Sequence, residues 1–210
     1  MGTITALRLN ARKKQVNVFV DGLFAFTVSD ELAITNRLVV GRDLSLDQIE
    51  ELKEANLFQK CMDAAVRYLS YRPRSEREVR QRLRRRGFEG PVVDEVVLKL
   101  KERRLIDDAA FCEFWRNNRL SFNPRSTKLV KLELRKKGVS AETANRAVEN
   151  MDDENSAYEA GLKKAHRLSA TDYDSFRGSL YGYLRRRGFD YGSVKRAVER
   201  LWQEKKGGFL

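Results

Sequence analysis

The stretch PRSEREVRQRLRRRGF, residues 73–88, carries the punctuation of one complete helix. Pro73 disfavours continuation of any helix before it. Ser75 and Glu78 have the spacing of a capping box, in which a hydroxyl and a carboxylate satisfy free backbone N–H groups reciprocally. At the other end Gly87 can take the left-handed conformation at little cost, and Phe88 is placed to fold back on the last turn. A helix is therefore predicted from about Ser75 to about Gly87. DAAVRYLSYR reads as a helix before it, and Pro91 opens a third that runs through VVDEVVLKLKERR. Three helices make one unit.

The unit recurs. At an offset of 51, Pro73, Ser75, Val79, Leu83 and Gly87 fall on Pro124, Ser126, Val130, Leu134 and Gly138. A further 50 takes Val130, Leu134 and Gly138 to Leu180, Leu184 and Gly188. In the third helix Val93, Ala144 and Val194 align, as do Val96, Ala147 and Ala197, then Val97, Val148 and Val198, then Leu100, Met151 and Leu201. Those steps of three, one and three residues mark one helix face. The fold class that follows is mainly α: three tandem three-helix repeats forming an elongated, curved solenoid. The expected boundaries are 61–108, 109–154 and 155–206, with a tail at 207–210. The third copy lacks the proline and has a longer connection, HRLSATDYDSF, as a terminal repeat does.

Residues 1–60 form an N-terminal extension of different character. Val16, Val18 and Val20, then Phe24, Phe26 and Val28, alternate with a period of two, and Asp21-Gly22 sits where a tight hairpin turn is needed. ITALRLN, QVNVFVDG and LFAFTVS thus predict a small antiparallel sheet of three strands. Three strands alone are marginal in water, so the sheet should lean on a neighbour. The chain then turns helical, with Gly41 as a break and Ser45 or Asp47 as a start.

Charge is distributed unevenly. The 210 residues carry a net charge of +12, yet residues 1–62 hold 8 basic and 8 acidic groups, against 34 and 22 in the remainder. Excess confined to the repeats suggests a polyanionic partner; a solvated, cation-rich helical surface is the plainer alternative. No run approaches a membrane span and the N-terminus lacks the pattern of a secretory signal, so a cytoplasmic location and no membrane partner are expected.

Each middle helix ends in a basic triplet: Arg84, Arg85 and Arg86; Arg135, Lys136 and Lys137; Arg185, Arg186 and Arg187. Cations in a last turn offset the negative end of the dipole, each by about 0.3–1 kcal/mol. That explains one or two per helix but not three, since at about 100° per residue at least one leaves the favoured solvent direction. Two uses stay open, a contact with phosphates or an acidic groove, and helix-end solubility. Arg72, Arg74 and Arg125, in the loops before the middle helices, join the candidates. Most aromatics recur with helical spacing and read as core; Trp115, flanked by Arg116 and Arg119, is the one to watch at an interface.

No catalytic constellation is present: no phosphate loop, dinucleotide fingerprint or G-x-S-x-G elbow. Cys61 and Cys112 lie in apolar helical patterns and, with His166 alone, lack metal-site spacing, so they read as buried thiols. Asp107-Asp108 and Asp152-Asp153 lie between units, where Asp caps helix starts. No enzyme, cofactor or metal is expected.

YLSYRPRSEREVRQRLRRRGF and the following LKERRLIDDAAFCEFW closely resemble the RecX family, bacterial regulators of the RecA recombinase. LVKLELRKKGV and YGYLRRRGFDYGSVKRAV are similar to that family's second and third repeats. The resemblance covers residues 60–206; the N-terminal sheet looks like an extension that only some members have, and FNPRSTKL departs from the usual glycine-proline start of the second repeat. What the resemblance implies is a non-enzymatic regulator of recombination that lies in the groove of the RecA–DNA filament and inhibits filament growth, ATP hydrolysis, strand exchange and coprotease activity. The implied partners are the recombinase filament and, weakly or non-specifically, DNA; a monomer is expected. A DNA-binding array of helix-turn-helix-like units acting without a recombinase is the alternative, although no helix shows a base-reading pattern on a clean face.

Overall fold

The structure, a computed structural model, describes residues 1–169 and 172–208. Ala170 and Thr171, within the long connection of the third repeat, and the last two residues of the expected tail lie outside the described residues. The elements are β1 (Gly2–Asn10), β2 (Gln15–Val20), β3 (Leu23–Ser29), α1 (Asp30–Thr35), β4 (Asp43–Leu44), α2 (Leu46–Leu69), α3 (Glu76–Arg84), α4 (Pro91–Glu102), α5 (Asp108–Phe122), α6 (Thr127–Lys136), α7 (Ala141–Val148), α8 (Asp153–Ala165), α9 (Tyr173–Arg186) and α10 (Tyr191–Lys206). They gather into two compact units: Met1–Tyr71 with Arg82–Leu100, and Arg72–Gln81 with Lys101–Leu210.

In the first unit the sheet is antiparallel with strand order β3-β2-β1-β4. It has four strands where three were expected, because β4 pairs only two residues with β1, Gly2 opposite Leu44 and Thr3 opposite Asp43. A two-residue strand leaves no alternation to read. Asp21 and Gly22 have φ of 50° and 80°, the tight turn the sequence required. The inward alternation holds for Val16, Val18, Phe26 and Val28, all buried. It fails at Phe24, which is 58% exposed. The register shifts between Val18 and Phe19. A one-residue slip sends the side chains beyond it to the other face.

The sheet leans on α2. Asn56, buried on that helix, accepts from Ser29 N at 3.1 Å and donates to Thr27 O at 2.9 Å, so its amide closes the backbone of β3 onto the helix. Ser45 starts α2 through a complete capping box with Gln48. The helix then runs 24 residues without a break, so residues 60 and 61 lie within continuous helix. Its C-terminal half buries Cys61, Met62, Ala64 and Ala65, while Leu83, Val93, Val96, Val97 and Leu100 are buried on α3 and α4.

The second unit contains two further three-helix groups. Phe111, Cys112, Val130, Leu134, Val139, Ala144 and Val148 make one apolar core. Phe176, Leu180, Leu184, Phe189, Val194, Ala197, Val198 and Leu201, with alanines of α8, make the other. The aligned positions of the middle and third helices thus fall largely in the cores, apart from Ala147 and Met151 at the margin of the first. Each middle helix stops in the same way. Gly87, Gly138 and Gly188 have φ of 84°, 90° and 86°. The next N–H returns to the carbonyl of the core leucine: Phe88 to Leu83 at 3.2 Å, Val139 to Leu134 at 3.2 Å and Phe189 to Leu184 at 3.4 Å.

Candidate functional site

The candidate cations sit at the ends of the middle helices, and in the second unit these ends form joints. The N-terminus of α3 meets the C-terminus of α6. Ser75 N and Oγ close the capping box with Glu78, at 3.4 and 3.2 Å, and Ser75 Oγ also donates to Lys137 O at 2.7 Å. Glu76 N donates to Asp108 Oδ1 at 2.9 Å. Glu78 accepts Lys137 Nζ at 2.6 Å and Arg72 Nη2 at 3.1 Å. Burial raises the Glu78 carboxyl, but the hydrogen bonds and charges of Lys137 and Arg72 outweigh it and hold the pKa below the usual carboxylate value.

The N-terminus of α6 meets the C-terminus of α9 by the same chemistry. Ser126 N donates to Arg187 O at 3.0 Å, and Thr127 N and Oγ1 both donate to Asp153 Oδ1 at 2.7 Å. Arg187 donates to Asn123 Oδ1 and, at 3.3 Å, to Pro124 O. The glycines make the approach possible. A Cβ on Gly138 would lie 2.5 Å from Arg77 Cβ, and one on Gly188 would lie 2.5 Å from Leu129 Cγ and Ser126 Oγ.

Each Asp pair therefore divides its work. Asp107 and Asp152 cap their own helices, α5 and α8. Asp108 and Asp153, the first residues of α5 and α8, reach back to cap the starts of the middle helices α3 and α6. Burial raises the Asp108 pKa, with the nearby Glu76 and Asp107 charges adding to it against the backbone N–H of Glu76. The cross-repeat role left a signal in the sequence, a second Asp at the same place in two copies, but only spatial adjacency gives it meaning.

The triplets divide likewise. Arg135 donates to Val139 O and Arg185 to Phe189 O, both at 2.8 Å, so the first position of each satisfies a carbonyl just past its own helix. The third position, Lys137 or Arg187, is held in a joint. Only the second, Lys136 or Arg186, has an exposed side chain with no hydrogen bond or ion pair to any described residue. At the end of α3 the pattern differs: Arg84, Arg85 and Arg86 are all exposed and all uncommitted in that sense.

The remaining candidates are engaged within the chain. Glu133 gathers Trp115 Nε1 at 2.7 Å, Arg119 Nε at 2.7 Å and Arg125 Nη1 at 2.6 Å. The Trp115 ring also lies 4.7 Å from the Arg119 guanidinium, 4.9 Å from Lys137 Nζ and 6.0 Å from the Arg72 guanidinium. Trp115 is thus half-buried in a cage of cations from its own protein, and Glu133, which the sequence did not single out, organises it. Arg116 donates to Ala147 O at 3.1 Å, at the end of α7. Arg74 also interacts within the chain.

Nothing reactive is grouped near these residues. Burial pushes the thiols of Cys61 and Cys112 up to about 11, aided at Cys112 by Asp108 and Asp107, so both are protonated at neutral pH. His166 is exposed as the C-cap of α8. Among the described residues no three of His, Cys, Asp and Glu are placed to hold a metal, and no helix is long and apolar enough to cross a membrane.

These features define a basic protein of tandem three-helix units, locked end to end in its second unit by shared caps. Residues 61–100 match the family model described as RecX, first three-helix domain, and residues 107–148 match RecX, second three-helix domain. The regulatory protein RecX of Lactobacillus gasseri is 30% identical over 209 residues, spanning 98% of this chain and 77% of that protein. The regulatory protein RecX of Listeria welshimeri is 30% identical over 166 residues, covering 79% of this chain but 61% of its own length. A crystal structure of a regulatory protein RecX superposes with a TM-score of 0.68 over 95% of this chain and all of its own, at 22% identity, and so shares the fold. The chain belongs to the RecX family.

Proposed function

We propose that this protein is a non-enzymatic, cytoplasmic regulator of homologous recombination that binds the RecA–DNA filament and inhibits its growth, ATP hydrolysis, strand exchange and coprotease activity. One observation carries the contact: Arg85, Lys136 and Arg186 occupy the same position in three repeats, and each is exposed and uncommitted. Internal caps and joints account for most of the other candidates, whereas these three have only helix-end charge to explain them. Cations held ready in this way suit phosphates or acidic side chains. The names of the relatives, regulatory proteins, support a role in control. On this reading residues 1–60 are an extension, 61–108, 109–154 and 155–206 are the working repeats, and the protein acts as a monomer.

The test is recombinase-dependent ATP hydrolysis on single-stranded DNA, with the wild-type chain and with Arg85→Glu, Lys136→Glu and Arg186→Glu combined. The wild type inhibits; the triple variant loses at least tenfold in potency while its melting temperature stays within a few degrees. Full inhibition by the triple variant would remove the basic positions from the contact. Tight, steeply salt-dependent binding to naked DNA, with no effect on the recombinase, would favour a plain DNA-binding array instead.

A further inference from the structure

The joint between α6 and α3 has an empty counterpart. With the 51-residue offset that relates the repeats, Gly87 stands where Gly138 does, Arg86 where Lys137 does and Ala64 where Trp115 does. Cys61 and Cys112, also 51 apart and both fully buried, show that the first helices keep that register. At the filled end, Lys137 holds the Glu78 carboxylate and Gly138 lies against Arg77. At the α3 end, a Cβ on Gly87 would meet nothing within 4 Å. Small Ala64 in place of the indole leaves an open pocket of about 380 Å³, lined by Lys60, Asp63, Ala64, Arg67, Arg86 and Phe88. Lys60, Arg67 and Arg86 make no ion pair with any described residue.

We propose that this pocket is a docking socket for the first turn of a helix in a separate protein, one that begins with a Ser or Thr cap and carries a carboxylate at its third helical position. Both filled joints receive that kind of element, a helix N-terminus whose hydroxyl or N–H donates to the last carbonyls of the receiving helix. Helix C-termini present unsatisfied carbonyls and the negative end of a dipole, which accept the N–H and hydroxyl donors of a helix start. The three free cations select an acidic first turn, with Arg86 in the part that Lys137 plays for Glu78. Phe88, half-buried at the pocket wall, offers an apolar seat for the residue before the cap. This socket goes beyond the recombinase reading and does not depend on Arg85, Lys136 or Arg186.

The experiment uses the full chain and a labelled, acetylated helical peptide of sixteen residues beginning Pro-Ala-Ser-Glu-Ala-Glu. Binding is followed by fluorescence anisotropy and by shifts of backbone amide resonances. Shifts are expected at residues 60–67 and 84–90. Arg86→Glu weakens binding at least tenfold, and a peptide with Lys at the carboxylate position recovers affinity for that variant. Ala64→Trp, which installs the residue found in the second repeat, blocks binding. Melting curves of both variants report that the chain remains folded. No binding at millimolar peptide, or equal binding to wild type and Arg86→Glu, overturns the proposal. So would a single-stranded oligonucleotide that displaces the peptide and binds more tightly, since the pocket would then read phosphate. Self-association abolished by Arg86→Glu would overturn it too, by assigning the socket to a second copy.

Discussion

The basic triplets at the ends of α3 and α6 carry the same charge and are employed in opposite ways. At α6, Arg135 caps a turn and Lys137 is locked onto Glu78, leaving only the Lys136 side chain both exposed and uncommitted. At α3 all three arginines are exposed and uncommitted. Copying a triplet through tandem repeats preserves its structural use only where a neighbouring helix start arrives to receive it; at the vacant end the same residues are surface. A repeated charge motif is therefore a set of positions with separate fates, and substitution at matched positions measures the difference.

The largest contrast is expected between Gly188→Ala and Gly87→Ala. Both put a side chain on a left-handed backbone, a strain of roughly 1–2 kcal/mol. At Gly188 the new Cβ would also lie 2.5 Å from Leu129 Cγ and from buried Ser126 Oγ, whereas at Gly87 it would meet nothing. Overpacking adds about 1–3 kcal/mol. Urea unfolding should show Gly188→Ala destabilised by about 3–4 kcal/mol and Gly87→Ala by about 1 kcal/mol. Equal losses would mean that the close approach at the α9–α6 joint can relax.

Next in size is the charge contrast. Lys137→Glu places a carboxylate against Glu78, whose side chain is 11% exposed, and should cost about 2–3 kcal/mol. Arg86→Glu exchanges an exposed helix-end cation for an anion in solvent, at a cost of about 1 kcal/mol. Thermal melts of the two single variants check this.

The sequence disclosed the fold well because the repeat is written in parts that act locally. Pro73, Ser75, Glu78 and Gly87 set the ends of one helix, and offsets of 51 and 50 carry most of that pattern to the other copies. The site was less legible. Nothing within KLELRKKG says that its last lysine is bound to a carboxylate 59 residues earlier, or that Glu133 draws Arg119 and Arg125 off the surface. Exposure depends on who arrives at a helix end, and that is a property of the packed chain. The sheet failed to show its fourth strand and its register slip for a related reason: both depend on pairing across strands, while alternation reports one strand at a time.

A smaller effect follows from acid. Glu76 and Glu78 are buried enough to be raised, but their partners, Arg80 and Lys101 for the first, Lys137 and Arg72 for the second, hold both pKa values below the ordinary one. A depressed carboxyl contributes stability that is complete above the unfolded value of about 4.3 and is lost as pH falls through the lower folded value. Wild-type stability should therefore decline below about pH 4. Glu78→Gln should be less stable at pH 7 and lose less on acidification, as read from urea midpoints at the two pH values.

The smallest change is expected at Asp108, where the sign reverses. Its carboxyl is raised by burial and by Glu76 and Asp107, so the folded chain holds this proton more tightly than the unfolded one. Stability linked to such a group is present in full below the unfolded pKa and falls as pH rises through the folded one. Asp108→Asn keeps an oxygen to accept Glu76 N and removes the disfavoured charge. It should equal or exceed the wild type by up to about 0.5 kcal/mol at pH 7, with the advantage shrinking toward pH 3. Asp108→Ala leaves that N–H without its acceptor and should lose about 1 kcal/mol at pH 7, with the deficit growing toward pH 3. If Asn were as harmful as Ala, the aspartate would be supporting the joint by charge at the α3 N-terminus. A harmless Asn assigns the cross-repeat cap to hydrogen bonding and leaves the paired side chains of Glu78 and Lys137 as the joint's principal electrostatic link.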